Sequence, residues 1–173
     1  MGFLGRRKGE QAEPAAEVQR ASETTRAGDL SAQETFAVMM KRTVAPALRD
    51  MGFKGSGQVF TLPTPTHFAT IGFQKSAYSD ASDVRVTANV SAVAVSAWET
   101  ARAERSYLPA KPAANTFYGS FAWQKRIGEL RPDGEDLWWA IPAGADPTPV
   151  AAEIIETVRQ YALPAMKDQI ARA

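Results

Sequence analysis

Residues 83–95 (DVRVTANVSAVAV) alternate more strictly than any other segment of the chain. Val84, Val86, Ala88, Val90, Ala92 and Ala94 fall on one side, and Arg85, Thr87, Asn89 and Ser91 on the other. A side-chain period of two is that of a β-strand, and one apolar side means a sheet with one face on a core. Strands of an all-parallel sheet are buried on both faces and read as unbroken apolar runs. A strand of this kind therefore points to an antiparallel sheet covered on one side.

The neighbouring segments extend that sheet. Gln58–Leu62 is a short strand closed by Pro63 and Pro65. His67–Ser76 alternates, with Ala69, Ile71 and Phe73 on one face, and Ser79–Ser82 turns the chain into the long strand. Short turns between three successive strands imply a meander. Phe121–Leu130 and Leu137–Ile141 read as two more strands. Between them, Arg131-Pro-Asp-Gly134 has hairpin-turn chemistry, because glycine takes the positive φ. Glu99–Thr116 has no clear period beyond a short helical piece near Ala97–Arg105, and a loop of that length in a compact domain is usually functional or disordered.

Helices flank the strands. Ser31-Ala-Gln-Glu34 is a capping box, and Phe36, Met39, Met40, Val44, Leu48 and Met51 follow at helical spacing up to the stop at Gly52. Pro46 lies inside that pattern and predicts a kink or local break near Arg42–Thr43. Asp146-Pro-Thr-Pro149 starts a last helix whose face is Val150, Ile154, Ile155, Val158, Ala162 and Leu163. Pro164 predicts its break, with a short piece over Ala165–Ala171 to follow. The fold class is α+β: an antiparallel sheet of about five strands, with the N-terminal and C-terminal helices packed on one face.

At 173 residues the chain is one domain with a tail. Residues 1–30 balance basic and acidic groups and contain few bulky apolar residues, so they read as a flexible polar tail before a single domain over 31–173. No apolar core follows Arg6-Arg7-Lys8, so a secretory signal is not expected, and no uninterrupted apolar run is long enough to span a bilayer. Cytoplasmic placement is the expectation. A formal net charge of +1 argues against general nucleic-acid binding. With no Cys and a single His, thiolate, iron–sulfur and multi-His metal sites drop out.

Several residues are shared with a known family. Met51-Gly-Phe-Lys54 closes the first helix, Phe60 follows, and Phe73-Gln-Lys-Ser76 ends a strand. A strand of small and β-branched residues, an Arg-Ile-Gly128 strand and Leu137-Trp-Trp139 come next. In this order the chain resembles the bacterial family known as domain of unknown function 4304, over about residues 33–165. It departs from that pattern in its Ala/Pro-rich loop at Leu108–Asn115 and in its N-terminal extension. The resemblance implies an α+β domain and no established activity.

The chemical candidates are few. Gly52, Gly55 and Gly57 follow a helix instead of leading from a strand into one, and no P-loop Lys-Ser/Thr pair accompanies them. His67 has no nucleophile elbow to serve. Lys75 and Ser76 are neighbours on a strand and point to opposite faces, which argues against a serine–lysine dyad. The carboxylates form no calcium loop or zinc-binding helix. What remains is a sheet face. Gln74 and Ser76 share one face by strand period, and adjacent Trp138 and Trp139 place one aromatic on each side. Arg126 could join them as a cation for an anionic ligand. The expected ligand-binding set is therefore Gln74, Ser76, Arg126 and Trp139, with no catalytic residue, metal or cofactor. The favoured reading is a non-catalytic module for a protein partner or a small anionic ligand. The alternatives are a small hydrolase-like enzyme using Gln74, Ser76, Asn89 and Arg126, and, by analogy alone, an immunity or defence accessory protein.

Overall fold

The computed structural model describes residues 30–172. The expected tail over 1–30 lies outside the described residues, Leu30 excepted. The first helix begins where the capping box places it. Ser31 Oγ accepts from the Glu34 amide at 3.3 Å, and Glu34 Oε2 accepts from the Ser31 amide at 3.0 Å. α1 (Ala32–Met39) runs into a π turn over Met40–Val44 and then into α2 (Ala45–Asp50). The irregularity expected from Pro46 is thus a widened turn, and the helix continues through it.

β1 (Lys54–Ser56) and β2 (Val59–Thr61) form a tight hairpin, with Ser56 opposite Val59. The sequence reading took the glycines here as a helix stop and turn and missed β1. Gly57, with φ +66, occupies the hairpin turn that makes such a short strand pair feasible. β3 (His67–Lys75) and β4 (Asp83–Ala94) continue the meander, paired from His67–Ala94 to Lys75–Val86. α3 (Val95–Glu104) follows directly.

Beyond α3 the structure departs from expectation. β5 is shorter than the strand read over Phe121–Leu130: it spans Trp123–Arg126, and Ile127–Leu130 is a 3-10 turn. β6 (Trp139–Pro142) does not pair with β5 as a hairpin partner. Both lie along the same edge of β4, β5 against Asn89–Ala92 and β6 against Asp83–Val86. The Pro-Asp-Gly turn does form, with the Gly134 amide donating to the Arg131 carbonyl at 3.0 Å, but it redirects the chain along an edge. Among the described residues the sheet has six strands and is five strands wide.

The last helix is also continuous. α4 (Thr148–Thr157), a π turn over Val158–Ala162 and α5 (Leu163–Ala171) follow one another, so Pro164 does not break it. Both helical arms cover one sheet face. Phe36, Met39, Val44 and Leu48 from the first arm and Ile154, Val158 and Met166 from the last share one buried cluster with Ile71, Phe73, Val84, Val86 and Val90. Of the apolar set read from the period of the long strand, Val84, Val86, Ala88, Val90 and Ala92 are core and Ala94 is half-buried.

Candidate functional site

The other sheet face carries the even positions of β3 and the odd positions of β4. One end of it is closed by α3 and the segment after it. Val93, Trp98, Ala101, Leu108 and Ala122 form a second buried cluster there, flanked by Phe68, Tyr118 and Phe121. Trp98 anchors this cover: its ring meets Tyr118 edge-on at 4.8 Å, and its Nε1–H donates to the Pro109 carbonyl at 3.2 Å. Burying a tryptophan with its N–H satisfied is the favourable way to fix such a loop. Further along the face, Thr70 and Ser91 hydroxyls meet at 2.8 Å. Gly72 then lets Ala114 and Asn115 lie directly on the sheet, where a side chain would stand.

Past that point the cover ends and amide side chains converge. Asn89 Nδ2 donates to Gln74 Oε1 and to Asn115 Oδ1, each at 2.9 Å. Asn115 Nδ2 donates to the Phe73 carbonyl at 3.4 Å, and Gln124 Nε2 to the Ala114 carbonyl at 3.3 Å. Gln124 Oε1 is buried with no partner among the described residues. These groups line a concavity of about 380 Å³ together with Phe117, Arg126 and Glu129. Neutral amides neither take nor give protons near neutral pH, so the cluster is suited to holding a polar group by hydrogen bonds.

The predicted site residues divide. Gln74 and Arg126 both line this concavity. Ser76 lies beyond the end of β3 in a turn, its Oγ accepting from the Tyr78 amide at 3.2 Å, and is not brought to the site. Trp139 is 2% exposed among the core residues under the helices, on the face opposite Gln74. Trp138 lies just before β6, so strand alternation does not govern it, and it is the tryptophan that reaches Arg126. Its ring centre lies 4.8 Å from the Arg126 guanidinium carbon, and Asp136 Oδ2 accepts from both Trp138 Nε1 and Arg126 Nη1 at 2.8 Å.

Charges near the concavity are already met. Lys125 pairs with Glu129 at 3.0 Å. The Arg126 backbone N–H, then Lys125, hold the Glu129 carboxyl below its ordinary pKa, so it stays ionised at neutral pH. His67 is remote from this cluster: its Nδ1 shares a 2.9 Å hydrogen bond with Thr66 Oγ1 beside the Pro63–Pro65 turn. Among the described residues no group of three or more His, Asp or Glu is placed to hold a metal ion.

Asn115, Phe117 and Gln124 were missed from the sequence. Gln124 shares a face with Arg126 by strand period, a signal that was present. Asn115 lies in the segment without period and Phe117 just after it, and their positions follow from Trp98 and Gly72, which no local pattern links to them.

No curated protein and no solved structure matches the chain. A family model described as "Domain of unknown function (DUF4304)" matches residues 44–168. That stretch runs from the first π turn to α5 and contains every strand and the whole amide cluster, so the chain belongs to the DUF4304 family.

Proposed function

We propose that this domain is a non-catalytic protein-binding module that takes an extended peptide segment of its partner at the loop-covered end of the sheet. The observation that carries the reading is Phe117, 78% exposed between two concavities. On one side lies the amide cluster of Gln74, Asn89, Asn115 and Gln124. On the other, Tyr107, Leu108, Pro109 and Phe121 line an apolar hollow of about 400 Å³, and Tyr107 is itself 80% exposed. Large exposed aromatics are enriched among residues that dominate protein interfaces, and neighbouring amides match the donors and acceptors of a peptide backbone. The hydrolase alternative lacks a comparable support. Ser76 has its oxygen in a turn, and the carboxylate in the concavity is held ionised by two donors. A bacterial, cytoplasmic setting is part of the same proposal and rests on the resemblance to a bacterial family.

Selection of a random peptide library on the full chain tests this, with a Tyr107→Ala/Phe117→Ala double variant as counter-screen. Enriched peptides are expected to bind the double variant at least about tenfold more weakly, the loss that one interface hot spot supplies. Its melting temperature should be unchanged, because both side chains are solvated. Failure to enrich any sequence, or equal binding to the double variant, would overturn the reading.

A further inference from the structure

A larger concavity lies on the helix side of the molecule, away from the amide cluster. It is a groove of about 800 Å³ between the first helical arm and the tip of the β1–β2 hairpin. Phe36, Ala37 and Met40 contribute apolar wall from the helix, while Lys41, Arg49 and Lys75 stand around it. Among the described residues no carboxylate lines it. Its size falls within the range of small-molecule pockets, about 300–1,000 Å³.

Three cations unpaired among the described residues gather around it. Arg85, Arg102, Arg105, Lys125, Arg126, Arg131 and Arg159 each have a carboxylate within 3.4 Å. Of the described cations without one, Lys41, Arg49 and Lys75 stand around the groove, while Arg42, Lys54, Lys111, Lys167 and Arg172 lie outside its lining. Lys75 Nζ donates to the neutral Gln33 Oε1 at 2.7 Å, which fixes the ammonium without neutralising it. Arg49 directs Nη2 and Nε to the Gly55 carbonyl at 2.9 and 3.3 Å, which ties the guanidinium to the hairpin and leaves Nη1 without a partner among the described residues. Two of the three cations are thus held in place by neutral groups beside an apolar wall. A Coulombic field that no described lining acid offsets favours an anionic head, and the apolar wall favours a hydrocarbon body.

The geometry points to a binding site for a single-chain fatty carboxylate, its head between Lys41, Arg49 and Lys75 and its chain along the first helical arm at the exposed Ala37, over the nearly buried edges of Phe36 and Met40. The volume suits one chain, and it is too small for a folded partner.

Decanoate below its micellar concentration is the probe, titrated calorimetrically against the full chain, with acetate, decanol and anionic phospholipid vesicles as comparators. Saturable decanoate binding is expected, with decanol weaker and acetate undetected. Lys41→Met/Lys75→Met keeps the aliphatic stems and should weaken decanoate about tenfold, the combined effect of two exposed charges, while leaving decanol unchanged. Ala37→Trp fills the groove from an exposed helix position and should remove binding of both. The Lys pair remains decisive if the Trp variant does not fold. Absence of decanoate binding, acetate binding as tightly as decanoate, vesicle binding without monomer binding, or indifference to the Lys pair would each overturn the assignment.

Discussion

Two buried glycines have neighbours seated where a side chain would be. At Gly72 an added Cβ would overlap Asn115 Oδ1 and stand 2.6 Å from the Ala114 Cβ. At Gly128 it would overlap the Glu135 carbonyl and stand 2.6 Å from the Leu137 backbone nitrogen. The two obstacles differ in kind. The loop meets Gly72 through side-chain atoms, whereas the chain on Gly128 presents its backbone and leads directly into β6. Overpacking costs about 1–3 kcal/mol, so Gly72→Ala is expected near the low end of that range and Gly128→Ala near or above the high end. Urea denaturation of the two variants gives the comparison, and equal losses would show that the loop over Gly72 is as rigid as β6. Gly128 was visible in the Arg-Ile-Gly motif of the family resemblance. Gly72 looked like an ordinary strand residue, because what it accommodates lies more than forty residues further along the chain.

Both helical arms use the same device two residues before a proline. Ahead of Pro46 the Ala45 amide donates to the Met40 carbonyl, and ahead of Pro164 the Leu163 amide donates to the Val158 carbonyl. Each bond reaches back five residues. A proline in a regular helix loses one hydrogen bond and pushes on the carbonyl four residues back, at about 3 kcal/mol. The wide turn loosens the helix where that carbonyl sits, while Val44 and Leu48, or Val158 and Met166, stay in the core. If the strain is relieved in this way, Pro46→Ala and Pro164→Ala should each change stability by less than about 1 kcal/mol. A gain near 3 kcal/mol in chemical denaturation would mean that the prolines are strained. Sequence periodicity found both arms and their buried faces, since burial governs spacing. It mistook the continuation after Pro164 for a break, because the remedy is a backbone rearrangement with no residue signature of its own. The β5–β6 hairpin failed for a related reason: turn chemistry fixes a local bend, and β4 decides which edge each strand joins.

At the scale of the whole molecule, four carboxylates secure the starts of elements. Ser31 side chain and backbone hold Glu34 low at α1, and Ser82 with the Asp83 amide holds Asp80 low before β4. The Arg126 amide with Lys125 does the same for Glu129 at the 3-10 turn, and Thr148 does so for Asp146 before α4. A carboxyl whose pKa is depressed on folding binds fewer protons in the native state. Its contribution is present above the unfolded-state pKa and is lost as pH falls through the folded one. The melting temperature should therefore be level from neutral pH to about 5 and decline below about 4, where free carboxyls protonate. Glu34→Gln with Asp80→Asn should lower it at neutral pH and make the acid decline shallower. A decline as steep as wild type would place the acid sensitivity elsewhere.

The strand arrangement also bears on how this chain meets other chains. An exposed sheet edge offers unpaired amides and carbonyls as a template for strand addition, and proteins limit that hazard by keeping edges short or interrupted. Here one edge is β1, three residues long, with Lys54 at its start. The other is divided between β5 and β6, four residues each, with a 3-10 turn after the first. Among the described residues neither side offers a long row of backbone groups, so the division of one edge also protects the folded chain from self-templated fibrils.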